Sequence, residues 1–130
     1  MTQPSAVRTE QAPAPVGGAP YSQAIVAGEL LFVSGQVPLD PASGKLVEGD
    51  VATQTKQVFA NLSAILEAAG SSLQRIVKTT VFLTDLGDFG AMNDTYRTFV
   101  GDPPPARSTI EVSKLPAGAT IEIECVALKG

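Results

Sequence analysis

The 130-residue chain contains no histidine and has a single cysteine, Cys125. Without histidine it lacks the side chain that most often acts as a general base or binds a metal ion. A lone cysteine excludes an internal disulfide and a cysteine cage for a metal, and its alternation with apolar neighbours predicts a small buried residue. Any catalysis must therefore use carboxylates, hydroxyls, arginine, lysine or backbone groups, and we expect a reducing compartment.

Positive charge is also scarce, because nine lysine and arginine residues stand against 13 acidic residues, a net charge of −4 at pH 7. Such a chain has no basic field for phosphates or anionic lipids, so we expect neither nucleic acid nor membrane partners. The longest apolar stretch, residues 24–33, is interrupted by Gly28 and Glu29 and is too short to span a bilayer. The N-terminal residues lack the pattern of a signal peptide, and we expect a cytoplasmic protein.

The length predicts one domain. Residues 1–19 are rich in proline and glycine and poor in large apolar groups, which predicts a flexible N-terminal lead-in followed by a single domain at 20–130. Hydrophobic residues make up 44% of the chain. This is a high share for so small a domain, and we expect part of the apolar surface to close an oligomer.

The hydrophobic pattern predicts the order ββ, helix, β, helix, ββ. Extended segments flank a glycine turn at residues 28–29 and predict a hairpin. Helical periodicity predicts helices at 50–69, with Asp50 as N-cap and Gly70 after the last turn, and at 88–100. Strands are predicted at 76–84, 106–112 and 120–128. This order predicts an α+β fold, a mixed β-sheet with two helices packed on one face and a sister subunit on the other.

Arg107 is the strongest candidate for a binding residue. It follows three prolines that stiffen its approach, and its planar guanidinium is suited to hold a carboxylate in two parallel hydrogen bonds. If strands 106–112 and 120–128 pair as a hairpin with their apolar residues together, Arg107 and Thr109 share a face with Glu122 and Glu124. A solvated cross-strand ion pair without a ligand is the alternative interpretation.

Six short motifs occur in order between Ala19 and Leu128. They are Pro20-Tyr21-Ser22-Gln23, Val33-Ser34-Gly35-Gln36, Val77-Lys78-Thr79-Thr80-Val81-Phe82-Leu83, Met92-Asn93, Pro105-Ala106-Arg107-Ser108 and Ile121-Glu122-Ile123-Glu124. Each is weak alone, but together, at this spacing, they resemble the reactive intermediate deaminase family, RidA, formerly called YjgF. The resemblance implies a chorismate-mutase-like fold and a homotrimer, a barrel-like assembly with ligand sites in the clefts between subunits.

The same resemblance implies an activity, the hydrolytic deamination of enamine and imine intermediates of the 2-aminoacrylate type to 2-keto acids and ammonia, with no cofactor and no metal. The family's carboxylate-binding arginine matches Arg107 and its water-positioning glutamate matches Glu122. A hydroxyl from Ser34 or Thr109 would help to orient water, and Ser34 is predicted as catalytic and Thr109 as substrate-binding. The remaining predicted substrate-binding residues are Tyr21, Gly35 and Asn93.

Other functions compete with this one. A non-catalytic sensor that binds keto acids or related metabolites in the same cleft would need the same arginine. Family members are also described as ribonucleases or translation inhibitors, but an acidic chain with 5% aromatic residues offers little to attract or stack nucleic acid. Ala19 stands where many members have glycine, and Thr109 stands where some have cysteine.

Overall fold

A computed structural model describes residues 3–130. Its strands and helices form the α+β fold that the sequence predicts, a six-stranded sheet with two helices. In chain order the elements are β1 (Ser5–Val7), β2 (Ala24–Ala27), β3 (Leu30–Gln36), α1 (Val51–Ala68), β4 (Ile76–Leu83), α2 (Phe89–Tyr96), β5 (Ala106–Glu111) and β6 (Ile121–Leu128).

The strands lie in the order β1-β2-β3-β6-β4-β5. Strands β4 and β5 are parallel, because α2 connects them and returns the chain to the same end of the sheet. The other neighbouring pairs are antiparallel, including the predicted hairpin of β2 and β3. The sheet is therefore mixed, as predicted, and β6, the last strand in sequence, lies in its interior.

Both helices cover one face of the sheet. Helix α1 packs against β3, β6 and α2, and every second residue of β6 points towards the helices. In that row Ile121, Ile123 and Ala127 have no exposed surface, and Cys125 is 3% exposed. The interpretation of Cys125 as a core residue is confirmed, and its burial raises the pKa of its thiol to about 12.

The other face of the sheet is uncovered in the single chain, and we call it the open face. Phe32 of β3 and Ile110 of β5 project from it and are 47% and 45% exposed. Its cover by a sister subunit stays a prediction. Within residues 3–130, no helix combines the length and the hydropathy needed to cross a bilayer.

The helices begin where predicted, but α2 ends earlier. Asp50 caps α1 by accepting a hydrogen bond from the Thr53 N–H at 2.9 Å, and Gly70 follows with φ of 80°. Helix α2 ends at Tyr96, after which the chain tightens into turns, with the Phe99 N–H donating to the Tyr96 carbonyl. Phe99 still packs on the core, stacked on Phe59. Its apolar side chain therefore continues the helical periodicity, which explains why the sequence predicted a helix as far as residue 100.

The segment predicted as a flexible lead-in is built into the fold. Strand β1 pairs with β2, and Val7 and Ala12 are buried. The buried amide of Gln23 accepts from the Thr9 N–H at 2.7 Å and donates to carbonyls of residues 9, 12 and 13. Within the predicted lead-in over 1–19, residues 5–13 are thus paired or anchored in the structure, because one polar side chain holds a segment with little apolar surface. Its first two residues lie outside the described residues.

Candidate active site

Arg107 lies on β5, at the edge of the sheet. Arg107 is directly opposite Thr79 of β4, and Thr79 is fully buried beneath the helices. The Arg107 side chain therefore projects from the same, helix-covered face. The guanidinium carbon lies 4.8 Å from the ring centroid of Tyr96 and 5.5 Å from that of Phe89. Both distances are typical of cation–π interactions, so two rings of α2 hold this half-buried cation.

No carboxylate neutralises Arg107 within residues 3–130, where the one salt bridge joins Arg97 to Asp94 at 3.7 Å. The alternative interpretation of a cross-strand ion pair is therefore wrong for this part of the chain. A guanidinium places five N–H donors in one plane. The two rings approach the guanidinium carbon, and donors in this plane that no carboxylate occupies are suited to bind a carboxylate ligand.

A cavity of about 530 Å³ lies beside Arg107. Its lining includes Phe89, Asn93, Tyr96, Val100, Pro105 and Arg107. Among the described residues, the buried side-chain oxygens without a hydrogen-bond partner are Asn93 Oδ1 and Thr109 Oγ1. Buried polar atoms are normally paired, and exceptions mark places where a ligand or water completes the set. The structure thus places Arg107 and Asn93 around one cavity, with Thr109 two residues further along the same face of β5.

The other predicted residues form a second cluster, beside β3 and β6 on the open face. A cavity of about 380 Å³ is lined there by Tyr21, Ser34, Gly35 and Glu122. The Ser34 hydroxyl donates to the Ser22 carbonyl at 2.6 Å, and the Tyr21 hydroxyl accepts from the Val16 N–H at 2.8 Å. Backbone groups thus orient both hydroxyls, and the Ser34 oxygen keeps lone pairs for a ligand or water.

Gly35 provides the space for the Glu122 side chain. The pairing of β3 with β6 shifts register between Val33 and Gln36, and Gly35 lies within this irregularity. A β-carbon at Gly35 would overlap the Glu122 carboxylate, lying 2.8 Å from Cδ and 3.2 Å from Cγ. Gly35 has no left-handed backbone conformation, so the site requires glycine for close approach.

The pKa of Glu122 is raised from its ordinary value, first by burial and then by the negative charge of Glu124. The two carboxylates are two residues apart on β6 and project from the same face. A raised pKa makes Glu122 a stronger proton acceptor in its ionised form. A half-buried carboxylate in a cavity that a serine hydroxyl also lines is suited to orient a water molecule.

The predicted hairpin of the last two strands is wrong. Strand β4 lies between β5 and β6, pairing Arg107 with Thr79 and Thr79 with Cys125. Arg107 and Thr109 consequently share the helix-covered face with Cys125, whereas Glu122 projects from the open face. The expectation failed because it assumed that strands adjacent in sequence pair with each other, which parallel pairing of β4 and β5 prevents.

The two clusters cannot meet on one substrate within a single chain. Arg107 and Glu122 are two strands apart and three residues apart along the register. With strands about 4.8 Å apart and about 3.3 Å per residue, their backbones are separated by roughly 14 Å. Their side chains also leave the sheet in opposite directions, so a single chain does not bring the two clusters to one ligand.

Sequence reasoning missed the residues that hold Arg107 in place. Phe89 and Tyr96 lie in the helix predicted at 88–100 from its apolar periodicity, which assigned them no role near the arginine. Tyr96 is 5% exposed and its hydroxyl lies 2.7 Å from the Thr79 hydroxyl. Helical periodicity identifies the buried face, but which strand that face covers depends on the long-range pairing of β4 with β5.

Comparison with known proteins identifies the family. Residues 9–129 match the sequence model of the family described as Endoribonuclease L-PSP. The chain belongs to this family. A RutC family protein of Pyrococcus horikoshii is 53% identical over 121 residues, which are 93% of this chain and 94% of that protein.

Two further relatives bear on the predicted fold and on the resemblance to RidA. The 2-iminobutanoate/2-iminopropanoate deaminase of Mus musculus is 46% identical over 124 residues, 95% of this chain and 90% of that protein. The crystal structure of RidA from a Psychrobacter species matches with a TM-score of 0.90 and 43% identity, covering 95% of this chain and 98% of that chain. The resemblance to RidA and the predicted fold are thereby confirmed, and the roles of individual residues stay predictions.

Proposed function

We propose that this chain hydrolyses 2-imino acids and their enamine tautomers, of the 2-aminoacrylate type, to 2-keto acids and ammonia. The observation that best supports this is Arg107, a half-buried cation with no carboxylate partner within residues 3–130, which lies within cation–π distance of two aromatic rings beside a cavity. A relative with 46% identity is named 2-iminobutanoate/2-iminopropanoate deaminase. The activity proposed is of that type.

The reaction needs no more than binding, proton transfer and an oriented water molecule. Water adds to the carbon of the protonated C=N bond, and a proton moves from the added oxygen to nitrogen. The C–N bond then breaks, so that R–C(=NH2+)–COO− and H2O give R–CO–COO− and NH4+. Because the uncatalysed reaction is already quick, positioning worth a few kcal/mol is sufficient.

Each predicted residue has a part in this scheme. Arg107 holds the substrate carboxylate, and the unpaired oxygen of Asn93 accepts from the iminium N–H. Glu122 orients the water, takes its proton and passes it to the nitrogen, while the Ser34 oxygen accepts a second hydrogen bond from that water. The remaining predicted residues line the proposed site without a role in proton transfer; they are Tyr21, Gly35 and Thr109.

The complete site requires two copies of the chain. We place Arg107, Asn93 and Thr109 of one copy against the cluster around Glu122 of the next, in a homotrimer whose open faces meet at a common centre. The exposed Phe32 and Ile110 side chains are the kind of apolar surface that such an interface buries. Sedimentation equilibrium should report about three chain masses, and a stable monomer would contradict this assembly.

Substitution of Arg107 tests the role of the cation. Arg107→Ala should cost on the order of 3 kcal/mol or more in transition-state stabilisation, roughly a hundredfold in kcat/KM. Arg107→Lys should lie closer to alanine than to the parent, because an ammonium cannot replace the two-pronged donor. The assay couples a serine or threonine dehydratase to this protein and follows keto-acid release. Unchanged hydrolysis in Arg107→Ala would end the proposal.

Mixed assemblies test whether two copies share a site. Arg107→Ala and Glu122→Gln chains, each inactive alone, are unfolded together and refolded at equal concentration. If each site takes Arg107 from one copy and Glu122 from the next, about a quarter of the parental activity returns. Activity that stays at the level of the separate variants would show that both residues serve the same site from one copy.

The alternative functions have distinct outcomes. If the parental chain binds 2-oxobutanoate through Arg107 but does not accelerate imine hydrolysis, it is a metabolite sensor. The family description names a ribonuclease, but we do not propose that activity, because a chain of net charge −4 without histidine lacks the usual groups for binding and cleaving RNA.

A further inference from the structure

We infer that Tyr96 is a positioning residue for ligand binding: its ring fixes the Arg107 guanidinium in the orientation that receives a carboxylate. The inference rests on the proposed function for its ligand, a 2-imino or 2-keto acid. It adds a residue that none of the six sequence motifs contains, and it assigns to a core-facing side chain of α2 an effect on affinity.

The contact between the two side chains is close and specific. The Arg107 guanidinium carbon lies 4.8 Å from the Tyr96 ring centroid, and Phe89 is further away at 5.5 Å. Tyr96 is 5% exposed, whereas Phe89 lies at the surface. The buried ring therefore provides the fixed contact, since an exposed side chain changes rotamer more freely.

The Tyr96 ring is itself held on two sides. Its hydroxyl lies 2.7 Å from the hydroxyl of Thr79, the residue directly opposite Arg107 in the sheet. The Phe59 ring meets it edge to face, with centroids 5.5 Å apart and planes at 76°. Burial raises the pKa of Tyr96, so this hydroxyl stays protonated at neutral pH. A rigid support thus runs from the core to the cation.

A fixed orientation matters because Arg107 has no carboxylate within residues 3–130 to hold it. An unsupported arginine samples many rotamers, and freezing them when the ligand binds lowers affinity. The Tyr96 ring beside the guanidinium carbon restricts these rotamers beforehand, and within residues 3–130 no carboxylate occupies the N–H donors of Arg107. The ring therefore stabilises the receptive form before the ligand arrives.

Calorimetric titration with 2-oxobutanoate, the product of the proposed reaction, measures this effect directly. In Tyr96→Leu the ring is lost, and we expect the Kd to rise about tenfold. In Tyr96→Phe the ring remains, but the hydroxyl that pairs with Thr79 and also interacts with Arg107 is lost, so the melting temperature should fall and the Kd should rise clearly less than in Tyr96→Leu. If Tyr96→Leu does not fold, Tyr96→Met fills the space with a flexible apolar chain and removes the ring equally.

Phe99 provides the matched control. It stacks on Phe59 from another direction, with centroids 4.8 Å apart and planes at 8°, and it makes no cation–π contact with Arg107. Phe99→Leu should lower the melting temperature as a core substitution does and leave the Kd unchanged. A parental Kd in Tyr96→Leu, or an equal loss of affinity in Phe99→Leu, would overturn the inference.

The titration separates this inference from the proposed function. If the parental chain binds 2-oxobutanoate but does not hydrolyse the imine, the proposed activity fails and the effect of Tyr96 on carboxylate affinity is still measured. If hydrolysis occurs and Tyr96→Leu keeps both the parental Kd and the parental KM, the role of Tyr96 fails alone.

Discussion

Replacing Gly35 by alanine moves the Glu122 carboxylate without changing its chemistry. The added carbon would lie 2.8 Å from Glu122 Cδ and 3.2 Å from Cγ, whereas carbon atoms in contact are normally about 3.5–4.0 Å apart. The carboxylate must therefore shift by about 1 Å. The nearest atoms to the added carbon all belong to this one flexible side chain, so the backbone need not move.

This geometry predicts a small effect on folding and a large effect on turnover. Rotating one half-buried side chain away from its preferred conformation costs about 1 kcal/mol of folding free energy. Misplacing a catalytic group by about 1 Å costs up to roughly a hundredfold in rate. We therefore expect Gly35→Ala to lower kcat/KM by about ten- to a hundredfold, while the melting temperature falls by only a few degrees.

A double-mutant cycle identifies the cause. Gly35→Ala, Glu122→Ala and the combined variant are compared in the dehydratase-coupled assay. If the alanine acts by displacing Glu122, it has no further effect once that carboxylate is gone, and the two losses do not add. Parental turnover in Gly35→Ala, or a full additional loss in the combined variant, would refute the role of Gly35 as the space for Glu122.

Three further predictions concern charge, the core thiol and the N-terminal segment. Burial and Glu124 raise the pKa of Glu122, so acidification should abolish activity at a higher pH than it would if Glu122 had the pKa of an ordinary carboxyl group. Glu124→Gln should move this acidic limb of the pH profile of kcat/KM to lower pH. Cys125→Ala should keep most of the turnover in the coupled assay and lose some thermal stability, since the thiol is a core group with a pKa of about 12. Gln23→Ala should lower the free energy of unfolding by about 2 kcal/mol and expose residues 5–13 to limited proteolysis, because the amide that anchors them is lost. The control is Gln74→Ala, a substitution of an exposed glutamine. Equal cleavage of both variants would contradict the prediction.

Much of the fold was predictable from local patterns. The turn at residues 28–29, the cap at Asp50 and the helical period of α1 depend on neighbours within a few residues, and the structure confirms them. The pairing of β5 was not predictable in this way, because it depends on which strand α2 returns to. That single error placed Arg107 on the same face as Glu122.

The candidate site was predictable as a set of residues but not as an arrangement. The family motifs named Arg107, Asn93 and Glu122, and the structure distributes them between two faces of one sheet. The supporting role of Tyr96 has no local signal, because an apolar stripe on a helix looks the same whether it covers aliphatic side chains or a cation. Gln23 ends the first of these motifs, but the motif gives no sign that its amide orders residues 9–13.

The burial of Cys125 has a practical consequence for measuring local opening. It is the single thiol of the chain, and it lies between β3 and β4 on the helix-covered face, with little exposed surface and a pKa of about 12. Disulfide-exchange reagents attack the thiolate, so the folded chain should be nearly inert to them. Their rate of reaction therefore reports how often the helix-covered face of the sheet opens, without the introduction of any label.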